Sequence, residues 1–435
     1  MSGVERSPEF SLEDEKRHEP MPKASLEAGM PDQEKAVDEF PEGGARAWLV
    51  VLGASLGLFA TFGYANAFGV FQQYYETHQL SHESPSSISW IGSISVFILL
   101  ASGLFSGPLF DQHGEKVIYP AIFTYILSVM MTSISKKLWH FVLAQGILGG
   151  FSMGMILGPV MAAAGQYFQK KRAAALGLSV AGSSVGGVVF PIALSKMLAN
   201  PNLTFGWTVR ILGFIMVACL AVTCLTVKAR LPPRKGQFLI PAAFKELPYV
   251  TLIGAMFFAV LGLFTPFFYL PSYAAQHGMS IQLSAYLAAI LNGASFFGRA
   301  AGGILADRLG RFNMLFGVTT ITAILMFCWP SAQTNAPIIA FSALYGFFSG
   351  AIISLMAVCF MSAAEDAKNN GTYYGMGMAI DSIAALIGPP ITGALVTKYG
   401  GFSEAAYFSG AAVLVGAVGA LVAKFVSGKG FFSRV

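Results

Sequence analysis

Twelve long, nearly uninterrupted apolar runs dominate this 435-residue chain, at 48–71, 88–110, 117–135, 139–164, 174–197, 207–227, 249–273, 283–306, 313–330, 337–362, 373–397 and 405–425. A bilayer core about 30 Å thick is crossed by about 20 helical residues. Within it the backbone has to satisfy its own hydrogen bonds, which a continuous run achieves only as a helix. A transmembrane barrel would instead show short segments of alternating polarity. The pattern predicts an all-α polytopic membrane protein with 12 transmembrane helices. Charged residues make up only 11% of the chain, against about 25% in soluble domains. That is too few to wet a soluble surface of this size, which excludes a soluble enzyme, a secreted β module and a disordered chain.

The charges are unevenly spread. Residues 1–42 hold 12 acidic and 5 basic residues without apolar periodicity, and no secretory signal precedes Trp48. They read as a disordered cytosolic tail. The rest of the chain holds only 10 carboxylates against 22 bases. With the N-terminus inside, the loops on that side hold Lys116, Lys170, Lys171, Arg172, Lys228, Arg230, Arg234, Lys235, Lys245, Arg308, Arg311 and Lys368. The C-terminal tail adds Lys424, Lys429 and Arg434, whereas the opposite loops hold Lys136, Lys137 and Lys398. Basic residues stay cytosolic, so both termini are expected in the cytosol, with the plasma membrane or the vacuolar membrane as location. The bases point to anionic lipid rather than nucleic acid. Cys219, Cys224, Cys328 and Cys359 lie in apolar runs without metal-ligand spacing, so they read as small core residues, and neither metal nor cofactor is expected.

The longest internal loop, 228–248, contains Pro232, Pro233, Pro241 and Pro248 and divides the spans six and six. The expected organisation is a tail at 1–42, a six-helix half at 43–227, a cytosolic linker at 228–248, a pseudo-symmetric six-helix half at 249–425 and a cytosolic tail at 426–435. The halves repeat. Gly107, Asp111 and Gly114 after span 2 recur as Gly303, Asp307 and Gly310 after span 8, each offset by 196 residues. Internal repeats of six spans are a common architecture of secondary transporters. Asp can accept from a neighbouring helix N-terminus and pair with Arg. With Arg308 and Arg311, these residues form a candidate conformational latch.

The duplicated pattern resembles the signature loop of the major facilitator superfamily. The second copy matches well; the first has Gln112 and Glu115 where bases are usual, which implies a weaker latch. Further segments are similar to the monocarboxylate porter family, fungal branch. These are Glu42-Gly-Gly-Ala-Arg46-Ala-Trp48 before span 1, Gly154-Met-Ile-Leu-Gly158-Pro159 in span 4, and Gly182-Ser-Ser-Val-Gly186-Gly187 in span 5. The small residues of span 5, and Gly298 and Gly302 in span 8, suit close helix packing.

Two charges lie deep in the apolar runs, Arg299 in span 8 and Asp381 in span 11. A charge at the bilayer centre costs roughly 2.5–3.5 kcal/mol on insertion scales and is usually functional. The family resemblance implies that Arg299 binds a substrate carboxylate. It matches Asp381 to an acidic residue before Gly388-Pro389-Pro390. Asn66 and Ser295 stand where proton-coupled animal members carry Lys and Asp, so Asp381 remains as the proton-coupling candidate. In this fold spans 1, 4, 7 and 10 line the cavity, which makes Tyr64, Asn66, Met153, Met155, Phe264, Phe267, Phe268, Tyr269, Tyr345 and Ser349 candidates, with Ser295 beside Arg299. Pro159, Pro191, Pro266, Pro389 and Pro390 are expected to interrupt helices. Asn202-Leu-Thr204 is a glycosylation sequon in an outer loop.

There is no zinc-protease motif, no nucleotide-binding loop and no catalytic constellation at membrane depth. The sequence therefore predicts a non-enzymatic secondary active transporter working by alternating access. Its substrate is expected to be a small organic acid or carboxylated metabolite, with efflux of a secondary metabolite as one form of this transport. Proton-coupled uptake of a monocarboxylate or vitamin, or a sensor that binds without transport, are the alternatives.

Overall fold

The computed structural model describes residues 40–83, 85–232, 238–364 and 369–427. The expected tail at 1–42 and the tail at 426–435 lie almost wholly outside the described residues, as does part of the linker 228–248. Arg234, Lys235, Lys368, Lys429 and Arg434 are outside them too. The described residues are helical, with no strand among them.

Ten helices among the described residues are long and apolar enough to cross a membrane. The two other expected spans differ for physical reasons. Span 2 is divided at Ser102 into Pro85–Ala101 and Gly103–His113, so neither piece is a full crossing by itself. Span 8, Ile281–Leu309, has 29 residues and is long enough, but it carries Ser284, Asn292, Ser295 and Arg299, all turned inward. Outward, large apolar side chains such as Phe123, Leu225 and Phe297 are 65–74% exposed. In a membrane that surface faces lipid.

Breaks in other spans follow from local chemistry. Span 1 is three segments, Gly44–Ala60, Phe62–Ala65 and Phe68–Thr77. At the first break Thr61 Oγ1 donates to Gly57 O at 2.8 Å, a back-bond that bends helices. Span 7 breaks at Phe264, just before Pro266 removes an amide donor. Span 4 opens with a short helix Leu138–Phe141 and a π turn Val142–Leu148, then runs on as Gly149–Gly165. Pro159, Pro191, Pro389 and Pro390 lie inside continuous helices instead of interrupting them. Neighbouring turns absorb the missing donors there.

One end of the bundle gathers the basic loops and joins the halves. Asp307 Oδ1 and Oδ2 accept from the Ala173 and Ala174 amides at 3.1 and 2.9 Å, so a residue after span 8 caps the start of span 5. Arg311 donates to Ser362 Oγ at 2.5 Å, and Arg308 is exposed. In the first copy Gly107 lies against span 11: a Cβ there would sit 2.7 Å from the Gly371 carbonyl carbon. Asp111 is 7% exposed at the same contact. Gly114 and Gly310 both terminate their helices with positive φ, 61° and 96°, which explains the second glycine of each repeat. Glu115 has a different task from the base it replaces. It accepts from the Ala229 amide at 3.1 Å and lies 3.6 Å from Lys228, tying span 6 within its own half.

Candidate functional site

Away from the basic end, the halves enclose a cavity of about 530 Å³. The helix breaks put backbone irregularity and polar groups on its wall. Tyr64 and Asn66 come from the interrupted stretch of span 1, Gln145 from the π turn of span 4, and Phe264, Phe267 and Phe268 from the break of span 7. Asn292 comes from span 8. The Tyr75 hydroxyl donates to Gln145 Oε1 at 2.8 Å, fixing that amide, and Gln72 Nε2 donates to Glu76 Oε1 at 3.0 Å. Seven aromatic rings (Phe62, Tyr64, Phe68, Tyr125, Phe264, Phe267 and Phe268) and five amides (Asn66, Gln72, Gln73, Gln145 and Asn292) line it. Among the described lining residues Glu76 is the one that carries a charge, and none is Lys or Arg.

A second, smaller space of about 40 Å³ lies between this cavity and the basic end. Phe62 and Phe264 line both and separate them. Its wall is apolar except for Ser183, Tyr374 and Asp381. Asp381 is fully buried, and neither carboxylate oxygen has a hydrogen-bond partner among the described residues. Arg299 is 1% exposed and reaches across the halves: one guanidinium nitrogen donates to Val180 O at 3.1 Å and to Ser183 Oγ. Val180 and Ser183 also line the space that holds Asp381. The two deep charges thus flank one small chamber.

Of the sequence candidates, Tyr64, Asn66, Met153, Phe264, Phe267 and Phe268 line the large cavity. Arg299, Ser295, Met155, Tyr269, Tyr345 and Ser349 do not line it. Ser295 is buried against Gly350. The Tyr269 hydroxyl donates to Pro389 O at 3.0 Å and that of Tyr345 to Leu263 O at 2.5 Å, so both are spent on helix packing. Ser349 bonds to Gly346 O in its own helix. Sequence reasoning missed Asn292, Gln145 and Glu76. Asn292 stands two helical turns before Arg299 on one stripe of span 8, a signal open to inspection. Asn202 is exposed in the turn between spans 5 and 6.

Residues 53–375 match the Major Facilitator Superfamily. The chain belongs to this superfamily. It is 54% identical over 393 residues to the aspyridones efflux protein apdF of Emericella nidulans, covering 90% of this chain and 80% of that one. It is 41% identical to the MFS-type transporter pynF of Aspergillus niger, covering 88% and 89%. It is 38% identical to the agnestins efflux protein AgnL12 of Paecilomyces divaricatus, covering 87% of each. In fold it is similar to the fucose:proton symporter FucP of E. coli, with a TM-score of 0.67 at 16% identity over 87% of this chain and 99% of that one. The human organic anion transporter MFSD10 gives 0.64 at 16% identity, covering 88% and 98%. This protein is a multi-pass membrane transporter, not an enzyme.

Proposed function

We propose that this transporter exports a neutral, largely apolar secondary metabolite, and that its place in the superfamily is the fungal branch of the monocarboxylate porters. The composition of the cavity wall carries the substrate reading. An organic anion moved from water into this space would meet aromatic rings, amides and Glu76, with no lysine or arginine among the described lining residues to offset the loss of hydration. Aromatic walls with a few amides suit a bulky neutral molecule. Relatives named for efflux of aspyridones and of agnestins support export.

Asp381 is our candidate for proton coupling, because a buried carboxylate without partners, set in a chamber between the halves, is costly to keep charged. Arg299 acts in this reading as a tie between the halves, holding span 5 to span 8. We place both termini in the cytosol, from the basic loops, and the protein in the plasma membrane.

The test uses yeast expressing the full chain and loaded with tritiated benzanilide, a neutral molecule with two rings, or with its anion 4-benzamidobenzoate. Expressing cells should retain less benzanilide than control cells and equal amounts of the anion. Selective loss of the anion would sink the neutral-substrate reading. In the same cells Asp381→Asn should bind benzanilide normally yet lose the dependence of efflux on a proton gradient. Gradient-driven efflux persisting in that variant would remove Asp381 from the coupling step.

A further inference from the structure

At the interrupted stretch of span 1, three polar side chains meet the large cavity with their hydrogen-bonding capacity poorly used. Tyr64 is 5% exposed and lies edge-on between Phe71 and Phe190, with ring centroids 5.4 and 5.8 Å away. Its hydroxyl has no hydrogen-bond partner among the described residues. Asn66 Nδ2 donates to Asn292 Oδ1 at 3.5 Å, the outer limit for such a bond. Asn292, from the other half, is 3% exposed and is steadied by its own bond from Nδ2 to Ala288 O at 3.0 Å. Gly187 makes the meeting possible: a Cβ there would lie 2.6 Å from Asn292 Oδ1 and 2.9 Å from Asn66 Nδ2.

A buried donor without an acceptor is costly, and natural proteins rarely keep one without use. Here one donor is idle and another makes only a long bond, and both belong to residues on the wall of one cavity. What fits two neutral donors is one acceptor atom with two lone pairs. We propose that Tyr64 and Asn66 are a donor pair for a ketone or amide carbonyl of the substrate, and that Asn292 is a placeholder acceptor which the carbonyl displaces. Because Asn292 sits on span 8, arrival of the carbonyl releases a side-chain link between the halves. This inference rests on the neutral-substrate reading and narrows it to neutral aromatic carbonyl compounds.

The test is equilibrium binding to the purified full chain in lipid nanodiscs. Benzanilide is compared with N-benzylaniline, which keeps both rings and the N–H but has CH₂ in place of the carbonyl. The wild type should bind benzanilide about tenfold more tightly, the value of one or two modest hydrogen bonds. Tyr64→Phe and Asn66→Ala should each bring the ratio of benzanilide to N-benzylaniline affinity down toward one, and retained N-benzylaniline binding shows that the cavity is intact. Asn292→Ala removes the competing acceptor and should tighten benzanilide; weaker binding would overturn the placeholder role. Equal affinity of the wild type for both probes would overturn the donor pair and leave the neutral cavity standing. Binding of neither neutral probe would overturn the cavity reading instead.

Discussion

Replacing Asp307 by Asn should open the basic end. The carboxylate accepts two amide hydrogen bonds from the start of span 5, at 3.1 and 2.9 Å, and it belongs to the opposite half. Bonds to a charged group are worth roughly 1.5–3 kcal/mol each. Asp307 is half-buried, so the low end applies. Asn keeps one neutral acceptor and loses the attraction between an anion and a helix N-terminus. The pair then contributes about 3 kcal/mol to closure, of which Asn forfeits roughly 2, a shift of about thirtyfold toward the open state. Met356 is the reporter. It is 7% exposed and lines the small chamber behind the latch. With Met356→Cys in a background lacking the native cysteines, a membrane-impermeant thiol reagent added at the basic side should label the Asp307→Asn protein at least tenfold faster. Glu115→Gln is the matched control. Its bonds to Ala229 and Lys228 stay within one half, so labelling should not change. Equal labelling of the Asp307→Asn protein and its parent would refute the latch.

Three other outcomes follow from the same contacts. Gly186→Val should abolish a monodisperse folded peak in size-exclusion chromatography, because a Cβ at Gly186 would lie 2.8 Å from Gly63 Cα and spans 1 and 5 would be forced apart. Asn202→Gln should remove one endoglycosidase-sensitive mass shift from protein made in yeast; an unchanged mobility on treatment of the parent would argue against a glycan in that turn. At Glu115, burial works to raise the carboxyl pKa, but its own amide, the Ala229 amide and Lys228 outweigh it and hold the group below its usual value. A depressed carboxyl contributes stability above the unfolded value of 4.5 and loses it as pH falls through the lower folded one. The melting-temperature deficit of Glu115→Gln should therefore be present at pH 7 and shrink below pH 4.5; a constant deficit would contradict this.

How much of this was legible in the chain depends on how local the cause is. A run of apolar residues has one solution in hydrocarbon, so the spans could be read directly, and the glycine–aspartate repeat could be read because its spacing lies along the chain. Ser102 was not legible as a break. What marks it is the back-bond from Ser102 Oγ to Ile98 O at 2.6 Å, together with the approach of span 11, where a Cβ on Gly375 would collide with Gly103 O, a contact far off in sequence. Prolines misled for a related reason: a missing donor interrupts a helix only where nothing else accommodates it, and that is decided by neighbours. Arg299 stood out by depth, but depth does not say which way a long side chain turns. Its partners, Val180 and Ser183, are more than a hundred positions away and lead it away from the cavity wall. Asn292 lies on the same stripe, but an amide carries no charge that would single it out within an apolar run.

The start of span 5 explains why one carboxylate suffices as a latch. Five amides there face two acids: Gln169, Lys170 and Lys171 donate to Glu42 at 2.8, 2.5 and 3.2 Å, and Ala173 and Ala174 donate to Asp307. Glu42 immediately precedes span 1, so its bonds remain inside the first half whichever way the halves are disposed. Its backbone has φ of 52°, a conformation that costs a non-glycine residue unless its surroundings compensate. Three amides on one carboxylate are that compensation. The socket for Asp307 is therefore already built when the second half arrives, and closing the basic end orders little additional chain. Opening leaves two amides at a helix start where water can replace the carboxylate. The latch is then worth two charge-assisted bonds less what water returns, about 3 kcal/mol in all.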